Sequence, residues 1–210
     1  MAAYYRKRAP HYDEVYAFPA READLATLRA WLAQRVAGRS VLEVAAGTGY
    51  WTLAASATAR SVVATDLNPE TLAIAAGKGL GPQVTLRQAD AFDLPVLAEP
   101  AEVGMAHLWW SHVRLQDQAR FLAHLASRLQ PRGRLLMIDE TFVRHVSTPI
   151  SRRDAEGNAY QARILPDGAL FEVVKNHPDE AALVASLEPA CEAIETLWLP
   201  HFWAVGATFR

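Results

Sequence analysis

Three carboxylates and two glycines are spaced along this 210-residue chain in a way that suits the binding of a polar ligand. Glu43 precedes the turn Gly47-Thr48-Gly49, and Asp66 and Asp90 follow it. Glycine reaches backbone angles that a Cβ forbids, so this turn can be tight and a ligand can approach its main chain closely. A helix starting after it would offer its first N–H groups, which have no partner within the helix. Asp66 comes about twenty residues after the glycines begin, where nucleotide-binding α/β folds place a carboxylate that accepts hydrogen bonds from ribose hydroxyls. The pattern is not the dinucleotide fingerprint G-x-G-x-x-G, because Thr52 stands where its third glycine belongs. The chain also has no Tyr-x-x-x-Lys pair, which argues further against an NAD-dependent reductase.

His112 is the candidate for proton chemistry. Its unshifted pKa lies near neutrality, so a neutral imidazole can take a proton from an acceptor during group transfer. A histidine there can equally hydrogen-bond the backbone, and both roles stay open. His107 reads as structural. No cluster has metal-ligand spacing, so no metal is expected.

The elements that position these residues follow from the apolar pattern. VLEV, Val41 to Val44, reads as a strand buried on both faces, as in a parallel sheet. YWTLAASATAR after the glycines reads as a helix. SVVATD, ending at Asp66, is a second strand, and Asn68-Pro69 caps and starts the next helix. Gln83 to Gln88 is a third strand. Glu102 to Leu108 is a fourth and delivers Trp109, Trp110, Ser111 and His112 to the carboxyl edge of the sheet. A helix is expected over 116–130, then a turn at Pro131-Arg132-Gly133 and a fifth strand, RLLMID. Upstream, Leu25, Leu28, Leu32 and Val36 have helical spacing, and Gly38 ends that helix. Tyr160 to Leu165, Pro166-Asp167-Gly168 and Ala169 to Val174 read as a β-hairpin. A helix from Pro178 and two strands, Cys191 to Leu199 and Phe202 to Phe209, close the chain. The alternation of strands and helices implies one α/β domain with a doubly wound sheet and helices on both faces.

The run Glu43-x-x-x-Gly47-x-Gly49 resembles motif I of the class I S-adenosylmethionine (SAM) dependent methyltransferases, acidic-x-G-x-G-x-G, with Ala45 at the first glycine position. Alanine serves there if the backbone needs no positive φ. By motif the resemblance covers about residues 38–140. Beyond that the chain is similar to a small-molecule branch of the superfamily, through Tyr4-Tyr5 to Ala9, Tyr12 and Asp13, through Trp109 to His112, and through Thr148 to Asn176. The resemblance implies a Rossmann-like sheet of seven strands, order 3-2-1-4-5-7-6, with strand 7 antiparallel. It implies SAM as cofactor and S-adenosylhomocysteine (SAH) as product. Asp90, Ala91 and Phe92 would meet the adenine, and Asp66 with Leu67 the ribose. Ala45, Gly47, Thr48, Gly49 and Leu108 would lie along the methionine tail, with Glu43 ordering the turn. Trp109 or an N-terminal tyrosine such as Tyr4 would rest against the sulfonium.

Residues 1–37 are expected to form a flap and a helix, with the tyrosines either closing over the cofactor or packing on the core. Residues 141–176 are expected to insert on the substrate side. Trp110, Arg152, Tyr160 and Arg163 would then touch an anionic or phenolic acceptor, and His112 would assist proton removal. The resulting function is methyl transfer to a small molecule, at oxygen or nitrogen more than at carbon or sulfur. SAM binding without transfer, or transfer to a protein or nucleic acid, are the competing readings.

Composition bounds the rest. Hydrophobic residues make up 51%, and Lys plus Arg (21) nearly balance Asp plus Glu (23), with a net charge of −2. No long basic run appears, so nucleic acid is not an expected partner. Cys191 is the only cysteine, so no intrachain disulfide is possible and the cytoplasm is the default location. MAAYYRKRAP lacks a signal-peptide core, and no membrane span or membrane partner is expected. A monomer or homodimer is expected.

Calorimetry should show SAM and SAH binding, with no heat from NAD. Asp66→Ala should weaken adenosyl ligands by roughly 1–3 kcal/mol, the cost of a lost hydrogen bond to a charged group. Binding of NAD without SAM would overturn this reading.

Overall fold

The computed structural model describes residues 1–210. A short helix, α1 (Ala2–Arg8), runs into a 3₁₀ segment (Ala9–Tyr16) and then into α2 (Glu22–Val36). Five strands and three helices follow: β1 (Ser40–Val44), α3 (Tyr50–Ser56), β2 (Ser61–Asp66), α4 (Pro69–Ala76), β3 (Val84–Gln88), β4 (Ala101–His107), α5 (Gln118–Ala126) and β5 (Leu129–Glu140). Three short strands come next, β6 (Arg152–Arg153), β7 (Ala159–Ile164) and β8 (Leu170–Val174). The chain closes with α6 (Glu180–Leu187), β9 (Cys191–Trp198) and β10 (Phe202–Phe209).

The main sheet has the order β3-β2-β1-β4-β5-β10-β9. Pairing from β3 to β5 is parallel, and β10 runs antiparallel to both β5 and β9. This is the expected order and sense. Burial on both faces explains the unbroken apolar run in β1, where Val41 to Val44 are all buried. One face packs against α2 through Leu25, Leu28, Leu32 and Val36. The other packs against α5 and α6 through Phe121, Leu122, Leu125, Leu183 and Leu187. No helix is long and apolar enough to cross a membrane.

Three expectations change. The helix expected over 116–130 is shorter, because Leu115–Asp117 forms a 3₁₀ turn and β5 already starts at Leu129. Pro131 to Gly133 is not a separate turn. It is an irregularity within β5, where the partners of Ala101 and Val103 are Leu129 and Arg134, and Arg132 takes a φ of 61°. The hairpin gains a third strand, β6, whose two arginines carry no apolar strand signal.

Backbone strain gathers at the ends of neighbouring strands. Ala45, just past β1, has a φ of 55°, and Leu108, just past β4, a φ of 51°. The condition under which alanine could replace the first motif glycine without cost is therefore not met. Gly49 has a φ of 79°, and an added Cβ would stand 2.8 Å from the Ala75 Cβ on α4. Gly49→Ala should cost roughly 2–4 kcal/mol, from left-handed strain together with overpacking. Ala45→Gly should instead gain up to about 1 kcal/mol, the relieved strain less the added entropy of the unfolded chain. Denaturant unfolding checks both. A clearly destabilised Ala45→Gly would contradict the strain.

Candidate active site

Two cavities adjoin at the carboxyl edge of the parallel strands, where open α/β sheets bind ligands. One has a volume of about 250 Å³ and the other about 240 Å³. Tyr5, Tyr12, Leu108 and His112 line both and form the wall between them.

The first cavity is built from strand ends. Ala45 and Gly47 follow β1, and Asp66 ends β2 with Leu67 after it. Asp90, Ala91 and Phe92 follow β3, while Leu108 and Trp109 follow β4. Met1, Ala2, Tyr5 and Tyr12 cover it from the N-terminal segment. The Asp66 carboxylate accepts from Gly47 N (2.9 Å), Asn68 N (2.8 Å) and Thr71 Oγ1 (3.0 Å). It thus ties the glycine turn to the start of α4 and keeps room to accept one further donor. Asp13 accepts from both Thr48 and Lys78, which fastens the N-terminal cover to the glycine turn and to the end of α4.

Four residues expected at the cofactor do not line this cavity. Tyr4 faces the second cavity, where its hydroxyl accepts from Arg8 (2.7 Å). Thr48 spends its hydroxyl on Asp13, and Gly49 lies against Ala75. Glu43 lies buried beneath the turn and accepts from Thr52 Oγ1 (2.6 Å). Burial, with the nearby Asp66 charge, pushes its carboxyl up to about 8 against the Thr52 hydrogen bond.

The second cavity has a polar, cationic wall. Arg8 and Arg21 come from the N-terminal segment, Arg163 from β7 and Lys175 from the end of β8. Glu140 at the end of β5 is the inner carboxylate, with Glu14 at the rim. Lys175 Nζ donates to Ser111 Oγ (2.8 Å) and contacts Glu140 (3.2 Å) and Asp139 (3.4 Å). Arg21 also donates to Glu140 (2.9 Å). Burial works against these charges, yet Asp139 and Glu140 raise the Lys175 pKa, and Lys175 and Arg21 hold Glu140 down to about 2. Arg8 and Arg163 have no carboxylate partner.

Arg152 and Tyr160 do not reach either cavity. Arg152 is exposed on β6, stacks on the Tyr160 ring and pairs with Glu172. The side-chain alternation of β7 explains this, since Gln161 and Arg163 share the cavity face that Tyr160 cannot. Trp110 is a core residue packed by Phe121, not a pocket wall. Pattern reading missed Arg8, Gln161 and Lys175.

His112 is fixed at both nitrogens. Its Nδ1 lies 2.6 Å from the Val174 carbonyl, which only accepts, so Nδ1 carries the proton. Nε2 therefore takes the Tyr5 hydroxyl, 2.7 Å away. Burial, then the Lys175 charge, lower the imidazole pKa to about 3. The lone pair that a direct proton acceptor needs is thus already occupied, and the ring is a weak base.

A doubly wound sheet with a cavity at the carboxyl ends of its parallel strands, lined by Asp66 and Asp90, is the arrangement of a Rossmann-like, nucleotide-binding class of fold. A methyltransferase-domain family model matches residues 41–133. The DhpI–SAH complex is 30% identical over 98% of this chain and 93% of that one, with a TM-score of 0.77. The DhpI–SAM–HEP complex gives 30% over 98% and 94%, with a TM-score of 0.80. PH0226 from Pyrococcus horikoshii OT3, at 13% identity over 92% of each chain and a TM-score of 0.71, shares the fold. Comparison with curated proteins gave no match. The chain belongs to the class I SAM-dependent methyltransferases, and SAM is its cofactor.

Glu43 makes a pH test. Its folded pKa lies above the ordinary carboxylate value, so its neutral form favours the fold in acid. That contribution is lost as pH rises through the folded value. Glu43→Gln is neutral throughout and can still accept from Thr52. Its stability relative to wild type should therefore rise between about pH 5 and about pH 9, read by denaturant unfolding. A constant difference would show that Glu43 is ionised at all these pH values.

Proposed function

We propose that this methyltransferase moves the methyl group of SAM to an oxygen of a small, anionic acceptor held in the second cavity. The observation carrying this reading is that the cavity shares a wall with the cofactor cavity and presents Arg8 and Arg163 without carboxylate partners. Two guanidinium groups without carboxylate partners in one cavity favour a ligand that brings its own negative charge. The cavity, at about 240 Å³, suits a small molecule better than a polymer. DhpI, solved as a complex with SAM and HEP, supports a site that holds cofactor and a second molecule together.

In the cofactor cavity, Asp66 accepts from the ribose and Asp90 from the adenine amino group, with Ala91 and Phe92 against the ring. Met1, Ala2, Tyr5 and Tyr12 cover the cofactor, α2 packs on the sheet, and residues 141–176 supply the acceptor side through Ser147, Thr148, Gln161, Arg163 and Lys175. The bound cofactor supplies an activated methyl group on sulfur. The protein's share is to hold the acceptor oxygen in line and exclude water. An ionised oxygen acid needs no base at its nucleophilic atom, which accords with the occupied His112 lone pair. Transfer of the methyl group from sulfur to that oxygen would leave SAH and an ester with one negative charge fewer than the acceptor.

Incubation with methyl-labelled SAM and a panel of small carboxylates, phosphates and amines, followed by mass spectrometry, tests this. Labelled esters are expected. Arg163→Gln should raise the KM of an acceptor found this way by roughly tenfold to a hundredfold, the value of a charged hydrogen bond, with SAM affinity unchanged. Turnover of amines alone, or an unchanged KM, would sink the anionic assignment.

A further inference from the structure

The wall between the cavities contains a hydrogen-bonded pair that the transfer reaction described above does not use. Tyr5 reaches it from α1 and His112 from the 3₁₀ turn after β4. His112 Nδ1–H is spent on the Val174 carbonyl, so Nε2 can only accept, and the Tyr5 hydroxyl proton points at it. The phenolic oxygen receives no hydrogen bond from the protein in return. Its lone pairs are therefore unclaimed at a position lining both cavities.

We propose that Tyr5 faces the cofactor's sulfonium methyl with its oxygen lone pairs, and that His112 is a positioning residue that sets this polarity by drawing the hydroxyl proton away. A free phenol would turn its O–H toward an anionic acceptor and weaken the nucleophile. With the proton committed to Nε2, the oxygen can only accept. The C–H bonds next to a sulfonium are polarised, and a C–H···O contact of this kind is individually small and directional. The pair needs no change of protonation. Around Tyr5 stand Lys175, Arg163, Tyr4 and Glu140, and around His112 stand Lys175, Asp139 and Glu140. Burial outweighs these charges, keeping the phenol protonated and the imidazole neutral.

The test needs no acceptor. SAM carries the methyl group and the positive charge, whereas SAH lacks both. Tyr5→Phe should weaken SAM by about twofold to fivefold, the affinity equivalent of one such contact, and leave SAH unchanged. His112→Leu should do the same, because the released hydroxyl is free to turn. His112→Gln should restore wild-type SAM affinity, since its amide oxygen accepts the Tyr5 proton. In NMR of bound [methyl-¹³C]SAM, the methyl protons should lie downfield in wild type and His112→Gln. They should return toward the free position in Tyr5→Phe and His112→Leu, and the wild-type resonance should not titrate around neutral pH. Unchanged SAH affinity also reports that each variant is folded. Equal losses for SAM and SAH would make Tyr5 a simple wall residue. A His112→Gln variant resembling His112→Leu, or a wild-type methyl resonance titrating near neutrality, would overturn the role given to His112. These results depend on cofactor binding alone, so they separate from any failure of the anionic-acceptor assignment.

Discussion

The buried Lys175 ammonium is the interaction on which the rest of the site depends. It joins the three-stranded insertion to the carboxyl end of β5 through Asp139 and Glu140, and it donates to Ser111 in the segment after β4. Removing such a charge from water costs several kcal/mol, and excellent geometry with paired carboxylates is what offsets it. Asp139 also accepts from Ser111 N and Oγ, at 2.9 and 3.0 Å. One buried network thus fixes the distance between two sheets and the path of Trp109 to Val113. Lys175 and Glu140 also line the second cavity beside His112. The same charge lies close enough to help keep His112 neutral.

A second constraint acts beneath the cofactor cavity. Val44 of β1 pairs with Ala106 of β4, and within two residues of that pair Ala45 and Leu108 both enter the left-handed region. Left-handed backbone at a non-glycine residue costs roughly 1–2 kcal/mol and survives only where its surroundings over-determine it. At Leu108 the peptide is held by a hydrogen bond from its N–H to the Ile138 carbonyl, 2.7 Å. Both bent residues line the first cavity. Asp66 holds the other side by accepting from the Gly47 N–H.

These constraints divide the labour. The strand ends form the first cavity. The N-terminal segment and the insertion line the second cavity, and both reach His112, through the Tyr5 hydroxyl and the Val174 carbonyl. The second cavity is therefore lined largely by elements outside the main sheet.

The sequence by itself determined the sheet. Strands buried on both faces, helices with a single apolar stripe and the glycine turn are local signals that gave the alternation of a doubly wound sheet, and the motif resemblance supplied the order and sense of its seven strands. It also brought Ala45, Gly47, Asp66, Asp90 and Phe92 to strand ends whose position follows from topology, and these residues line one cavity. The tertiary structure alone decided the second cavity. Arg8, Glu140, Arg163 and Lys175 lie far apart in sequence, and no periodicity records that they converge. A single step of strand alternation placed Arg163 inside and Tyr160 outside, and pattern reading had no anchor for that register. Ala45 gave no sign of its positive φ, since a residue's type bounds its backbone while its neighbours select it. The role of His112 was likewise undecidable from its type, because a histidine's basicity depends on what occupies its nitrogens, and here a tyrosine from the other end of the chain occupies one of them.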